Sequence, residues 1–200
     1  DMHARVMGVR SDDSMCSLED RDTENCFGGF DRIARQVKSE RDSNKNVVLL
    51  DAGDQFQGTM FHLMYHGQVS SHLMNRIGYD AMAVGNHEFD NGPQVLAQFI
   101  KTTTFPIVSA NIDVSKSPEL RQRIKPYIIV QKNDVRIGII GYTTEDTAYL
   151  SSPGQNIQFL PIIPSVKKAV ASLKKARVDV IIAVSHSGLN QDIEVAKKVS

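Results

Sequence analysis

The 200-residue sequence predicts an α/β domain with mixed strand pairing, and three observations carry that expectation. Short apolar runs at residues 47–50, 79–84, 105–110 and 178–184 alternate with segments of helical periodicity, the pattern of strands feeding crossover helices. Two further runs, 127–131 and 135–141, are separated only by Lys132-Asn133-Asp134, which reads as an antiparallel hairpin. Polar clusters stand directly after three of the apolar runs: Asp51-Ala52-Gly53-Asp54, Gly85-Asn86-His87-Glu88 and Ser185-His186-Ser187-Gly188. Loops leaving the carboxyl ends of strands in open α/β sheets converge on one crevice. The clusters are therefore expected to meet.

The elements follow in order. Residues 28–40 form a helix, with Phe30, Ile33, Ala34 and Val37 at i, i+3, i+4 and i+7 and Asp31, Arg32, Arg35 and Lys38 outside. Residues 47–50 are the fully apolar, β-branched kind of run that buried parallel strands use. One helix is expected over 60–77, ended by Gly78, and the next strand over 79–84. Asn91-Gly92 makes a turn, and Pro93 suits the first turn of a helix reaching Lys101. A strand at 105–110, the hairpin, a helix at 165–176, a strand at 178–184 and a helix from Asn190 complete the pattern. Lys167, Lys168, Lys174 and Lys175 form a solvated face on the 165–176 helix. With no repeat, low-complexity tract or linker, residues 1–200 are read as one domain. Both ends look cut: no strand precedes Asp1, and Lys197-Lys198-Val199-Ser200 falls inside a helical pattern.

Composition narrows the function classes. The chain is 41% hydrophobic and 23% charged, ordinary for a globular protein, and its formal net charge is zero. No basic face is visible that would hold a nucleic-acid polymer. No apolar run approaches the roughly 20 residues of a membrane span, and no signal peptide is visible. Cys16 and Cys26 sit in a polar, acidic stretch, residues 11–25 and just beyond. They are either two free thiols or a disulfide worth about 2–3 kcal/mol by loop entropy, and a disulfide would imply an oxidising compartment.

The polar clusters carry the chemistry. Along extended backbone, residues i and i+2 point the same way, so Asp1 and His3 of Asp1-Met2-His3 could grip one ion. Asp54 follows a buried strand, and Gly53 permits the sharp turn that aims its carboxylate inward. Its two oxygens could bridge a pair of ions roughly 3.5–4 Å apart. Asp51 is better suited to capping or to supporting a ligand. Asn86 offers a neutral carbonyl oxygen, which limits the negative charge facing a phosphate ester. The His87 side chain is expected to point away from the ion held by Asn86, free to stabilise charge or protonate a leaving alkoxide, with Asp90 setting its tautomer. His186 follows a buried strand, and small neighbours leave room for a ligand beside it. His62, His66 and His72 fall in the 60–77 helix with no accompanying ligand pattern. They are read as surface or partly buried helix residues.

The order D-x-H, G-D, G-N-H-E and a final H after a strand resembles the metallophosphoesterases. The wording is closer still to the 5'-nucleotidase family, which includes apyrases. The stretches that carry the likeness are residues 26–30, 50–59, 79–92, 105–112 and 186–188, above all Gly85-Asn86-His87-Glu88-Phe89-Asp90-Asn91-Gly92. The resemblance implies a four-layer α/β/β/α sandwich holding two divalent metal ions, zinc first, with calcium, magnesium or manganese as alternatives. By position it implies Asp1, His3, Asp54, Asn86 and His186 as metal ligands, Asp54 bridging, and His87 and Asp90 as the catalytic dyad. It further implies an exported, secreted or cell-surface enzyme, in some members lipid-anchored, which would suit a Cys16–Cys26 bond. The family's downstream G-H-x-[H/N] motif and its base-binding C-terminal domain are not in the 200 residues, so this chain alone is expected to be a poorly active catalytic fragment.

The expected function is phosphate removal from AMP, ADP or ATP, as a 5'-nucleotidase or an apyrase. The alternatives are a 2',3'-cyclic nucleotide phosphodiesterase and a secreted binding protein that has lost turnover on the same scaffold. Intact ligand positions argue against the binding protein. The wording at residues 55–58 and 89–92 argues against a cytosolic protein phosphatase that would share the D-x-H, G-D and G-N-H-E core.

Overall fold

The computed structural model describes residues 1–12, 14–20 and 23–199. Ser200, counted above within a helical pattern, and Asp13, Arg21 and Asp22 of the acidic stretch lie outside the described residues. In chain order the elements are α1 Phe30–Ser43, β1 Leu50–Asp51, α2 Met60–Tyr65, α3 Gln68–Ile77 and β2 Ala81–Ala83. A 3-10 turn at His87–Phe89 then leads into α4 Gly92–Thr102, β3 Ile107–Val108, β4 Ile112–Asp113, β5 Ile124–Lys125, β6 Tyr127–Lys132 and β7 Val135–Thr143. The chain continues through α5 Thr147–Leu150, β8 Gln158–Phe159, α6 Ile162–Lys175, β9 Val180–His186 and α7 Leu189–Lys198.

The strands form two main sheets. The first is all parallel in the order β1-β2-β3-β5. The second runs β6-β7-β9 and is mixed, with β6 antiparallel to β7 and β9 parallel to it. A small antiparallel ribbon joins β4 and β8. Ala81, Ala83 and Val108 of the first sheet pack face to face with Ile137, Ile139 and Val184 of the second. The outer face of the first sheet is covered by α1, α3 and α4 through Phe30, Val37, Met74, Ile77, Leu96 and Phe99. The outer face of the second is covered by α6 and α7 through Val166, Ala169, Leu173 and Val195. The result is the four-layer α/β/β/α sandwich, each layer burying one apolar face.

The sheets approach closely because of Gly141. A Cβ there would stand 2.1 Å from the Val108 carbonyl oxygen, a distance only glycine tolerates. Asn111, wholly buried, stitches the seam. Its Oδ1 accepts from the Thr143 N–H at 3.0 Å and its Nδ2 donates to the Thr143 carbonyl at 2.9 Å.

Two expectations change. The single helix over 60–77 is two helices, broken where His66 and Gly67 take left-handed φ of 47° and 84°. A Cβ at Gly67 would stand 2.3 Å from Phe56 Cε1, so at the break only glycine fits against that fully buried ring. The apolar periodicity runs on across the break, which is why the sequence hides it. The second change concerns strand length: β1, β2 and β3 are only two or three residues long, because neighbouring residues leave the ladder to make loop contacts such as Leu49 N–H to Asp80 Oδ2 at 2.9 Å. Cys16 and Cys26 are joined in a disulfide with Cα atoms 5.9 Å apart, so the free-thiol alternative does not hold.

Candidate metal centre

The site lies where the ends of β1, β2 and β9 meet. After β1 the backbone turns through Gly53 at φ 95° and Asp54 at φ 56°, the left-handed region that favours glycine. Gly85, just past β2, lets that turn close in: a Cβ there would stand 2.2 Å from Asp54 Oδ1 and 2.5 Å from Asp54 N. Glycine at both positions is thus a condition for the two loops to touch.

Asp54 is 4% exposed and stands at the middle of the cluster. Its Oδ2 lies 3.1 Å from His186 Nε2 and 4.0 Å from His3 Nε2, and its Oδ1 accepts the His87 backbone N–H at 2.9 Å. Asn86 Oδ1 is 3.1 Å from His186 Nε2. The Nδ1 atoms of His3 and His186 face main-chain carbonyls, those of Phe56 at 3.1 Å and Ala52 at 2.8 Å. A proton on Nδ1 satisfies each carbonyl and turns each Nε2 toward Asp54, the orientation in which a histidine can give Nε2 to an ion. Without an ion, His186 Nε2 is placed to donate a proton to Asp54 Oδ2 at 3.1 Å. Two donor groups result, His3 with Asp54 and His87, and Asp1 with Asp54 and His186. They share the Asp54 carboxylate. Imidazole nitrogens, carboxylates and one neutral amide oxygen fit a pair of divalent cations.

The placement of Asp1 differs from the simple reading of D-x-H. Residues 1–4 are not extended: His3 and Ala4 have φ of 47° and 50°, and the Met2 and His3 N–H groups both donate to the Asp54 carbonyl at 3.0 and 2.9 Å. The tight turn separates the two side chains. Asp1 Oδ1 lies 3.6 Å from His186 Nδ1, while His3 stands edge-on to the His87 ring, with centroids 5.2 Å apart. All five expected ligands are near one another, but their pairing is set by contacts remote in sequence.

His87 and Asp90 sit at the start and just past the end of the 3-10 turn, where residues i and i+3 eclipse. His87 Nδ1 is 2.6 Å from Asp90 Oδ2. Ser151, arriving from beyond α5, places its hydroxyl 2.9 Å from Asp90 Oδ1 and 2.6 Å from the Asn86 carbonyl, its one proton shared between the two acceptors. Ser151 thus ties the His87–Asp90 pair to the backbone of Asn86.

Glu88 is the residue the sequence reading passed over. It is 0% exposed, and its carboxylate accepts four backbone N–H groups: Asp54 and Gly85 on Oε2 at 2.8 and 2.7 Å, Gln55 and Phe56 on Oε1 at 2.8 and 3.2 Å. It binds the β1 loop to the β2 loop. Burial, with the Asp54 charge second, pushes its carboxyl up to about 7 against the pull of those N–H donors. Its position inside G-N-H-E was the available signal. Asp51 is also structural, accepting from Gly53 N–H at 2.9 Å and Gln55 Nε2 at 2.8 Å, with burial raising it to about 6. For Asp54, burial acts upward, but hydrogen bonds from His186 and the His87 N–H overcome it and hold the carboxyl below its usual range. It is a carboxylate at neutral pH.

Residues 1–198 match the model of the calcineurin-like phosphoesterases. Along its whole length the chain is 42% identical to a snake venom 5'-nucleotidase of Naja atra and 41% identical to a 5'-nucleotidase of Homo sapiens, covering 37% and 34% of them. It spans about a third of the length of these curated relatives. Among solved structures, a 5'-nucleotidase precursor from Thermus thermophilus superposes on all of the chain with a TM-score of 0.91 at 38% identity, the chain covering 38% of it. The NAD nucleotidase of Haemophilus influenzae matches 98% of the chain with a TM-score of 0.86 at 29% identity, and is 38% covered. Fold and sequence agree, and the chain belongs to the calcineurin-like phosphoesterase family.

Proposed function

We propose that residues 1–200 are the catalytic domain of an exported, metal-dependent nucleotide phosphohydrolase of the 5'-nucleotidase type. The observation that carries the reading is the single buried carboxylate of Asp54, reached by His3 and His87 on one side and by Asp1 and His186 on the other. Of these His87 is the one paired with a second carboxylate, Asp90, and is assigned to catalysis rather than to an ion. Two divalent ions, zinc first, are assigned to Asp1, His3, Asp54, Asn86 and His186. Bound there, they would supply a Lewis acid for the phosphoryl oxygens and lower the pKa of a water near phosphorus.

The chain's own residues do the rest. Asn86 presents a neutral oxygen, so the site does not add a further charge against an anionic substrate. Asp90 accepts from His87 Nδ1 and fixes the orientation of the ring. Nε2 is then the nitrogen that stabilises charge on the phosphoryl oxygens or hands a proton to the leaving 5'-alkoxide. Ser151 keeps Asp90 turned toward His87 rather than toward solvent. The sandwich puts the donors on both sheets, so the substrate phosphate would enter at their shared edge.

A nucleoside monophosphate is the preferred substrate class, supported by the nucleotidase names of the relatives in sequence and in structure. An extracellular setting is supported by the Cys16–Cys26 disulfide and by the venom origin of one relative. Among the described residues no helix is long and apolar enough to cross a membrane. The test is phosphate release by the protein from AMP, ADP and ATP, with and without a chelator. Chelator-sensitive release from AMP is expected. Release from ADP and ATP that stops at AMP would make it an apyrase, and no release with two ions bound would favour a binding protein.

A further inference from the structure

Asp192 stands in the first turn of α7, outside the donor set described above. One of its carboxylate oxygens, Oδ1, accepts from three hydroxyls: Tyr142 at 2.9 Å, Ser187 at 2.9 Å, and Ser185 in a shorter contact. Ser185 and Ser187 flank His186 on either side, and Tyr142 is the β7 residue paired with Ser185 across the ladder. The two serines also touch each other, Oγ to Oγ at 3.0 Å, and the Ser187 N–H donates to Ser185 Oγ at 3.2 Å. Three side chains around one candidate ligand therefore end on one oxygen.

The consequence follows from strand geometry. Successive side chains of a strand point to opposite faces. Holding Ser185 and Ser187 toward α7 aims His186 the other way, toward the first sheet. There its Nδ1 meets the Ala52 carbonyl and its Nε2 meets Asp54 and Asn86. The β7–β9 ladder ends at His186, and Gly188 follows with φ 86° and open space where a Cβ would be. At its last residue the ladder alone is a weak constraint. Asp192 lines the polar cleft at the metal centre and also an apolar cavity of about 300 Å³ beneath α6 and α7. Asp192 is half-buried there, and its side-chain donors are the Tyr142 hydroxyl and the two hydroxyls that flank His186.

We propose that Asp192 is a positioning residue for His186, acting through Ser185, Ser187 and Tyr142 to fix the imidazole before any ion arrives. The proposal rests on the reading of His186 as a ligand. Two readouts separate the parts. In the metal-free chain, the ring resonances of His186, assigned by their loss in His186→Ala, should shift or broaden in Asp192→Ala, while those of His3 and His87 stay. Asp192→Asn, which keeps an oxygen to accept the three hydroxyls, should restore them. In a zinc titration, Asp192→Ala should weaken the binding step that His186→Ala abolishes by about 10–100-fold, the usual effect of losing an outer partner of a ligand, and leave the other step unchanged.

If Asp192→Ala does not fold, Ser185→Ala combined with Ser187→Ala keeps the Tyr142 contact and carries the same two expectations. Unchanged His186 resonances and zinc binding in a folded variant would overturn the proposal, and so would an Asp192→Asn protein as impaired as Asp192→Ala. Should His186→Ala bind zinc as the wild type does, the ligand reading fails, and the ring resonances alone decide the positioning role.

Discussion

His87 and Glu88 are neighbours with opposite environments, and that contrast organises the site at the scale of single residues. His87 is half-buried beside Asp90, whereas Glu88 is sealed in and spends both oxygens on backbone N–H groups. Replacing His87 by Ala removes the proton donor and leaves the ligands in place. The expected result is a kcat lower by roughly 10²–10⁴-fold, the range for a general acid–base group, with the metal content per protein unchanged. Loss of metal with full activity in the remaining loaded fraction would overturn the assigned role. Glu88→Gln keeps the shape but turns an NH2 group onto two backbone donors. Each orphaned buried donor costs about 1–3 kcal/mol, so a urea transition should show a loss of roughly 2–6 kcal/mol, with the slope unchanged. A variant as stable as the wild type would show that the four N–H contacts are not what hold the loops together.

The short helix α2 inverts the usual amphipathic pattern. His62 is its buried residue, 8% exposed, while Met60, Leu63, Met64 and Tyr65 face outward. His62 Nε2 lies 2.7 Å from Asn91 Oδ1, and its Nδ1 is buried with no partner among the described residues. The ring is therefore neutral, donating from Nε2. Burial, ahead of every other influence, lowers its pKa below the ordinary 6.5. The unfolded chain then binds this proton more readily than the folded one. The His62 contribution to stability is present above about pH 6.5 and is lost as the pH falls through the lower folded value. His62→Phe should remove that acid-side loss: its urea midpoint relative to wild type should rise between roughly pH 8 and pH 5. A difference independent of pH would reject the argument. Phe56 packs against the buried His62 ring, with centroids 4.7 Å apart, and fills the space a Gly67 Cβ would need.

At the scale of the whole molecule, the donors come from both sheets. Asp54 and Asn86 follow strands of the first sheet, and His186 ends a strand of the second. The separation of the sheets thus sets the distance between ligands. Gly141 governs that separation where β7 passes the Val108 carbonyl, and the Ala110 N–H to Gly141 carbonyl bond at 2.7 Å ties the two sheets together at the same place. Gly141→Ala should destabilise the protein by roughly 1–3 kcal/mol, the cost of overpacking, and weaken zinc binding at the His186 step more than at the other. Heat unfolding with and without zinc would measure both. Equal weakening of both steps would mean that the seam does not set the geometry of the site.

The polar clusters and their order were legible in the sequence because three of them are contiguous and directly follow an apolar run. Residues 28–40, the hairpin and residues 165–176 were legible for the same reason, since their periodicity is local. The two-residue strands β4, β5 and β8 were not, because two residues carry no period and such strands exist only through a partner. The break at Gly67, the four bonds of Glu88, the company Asp1 keeps and the Asp192 clamp were equally hidden. Each depends on side chains that meet only once distant elements have packed. The sequence by itself determined which chemical groups are present and which strand end delivers each. Only the tertiary structure decided which groups meet, because side-chain direction at a strand end is set by what packs against it, and that is a property of the closed sandwich rather than of any local run.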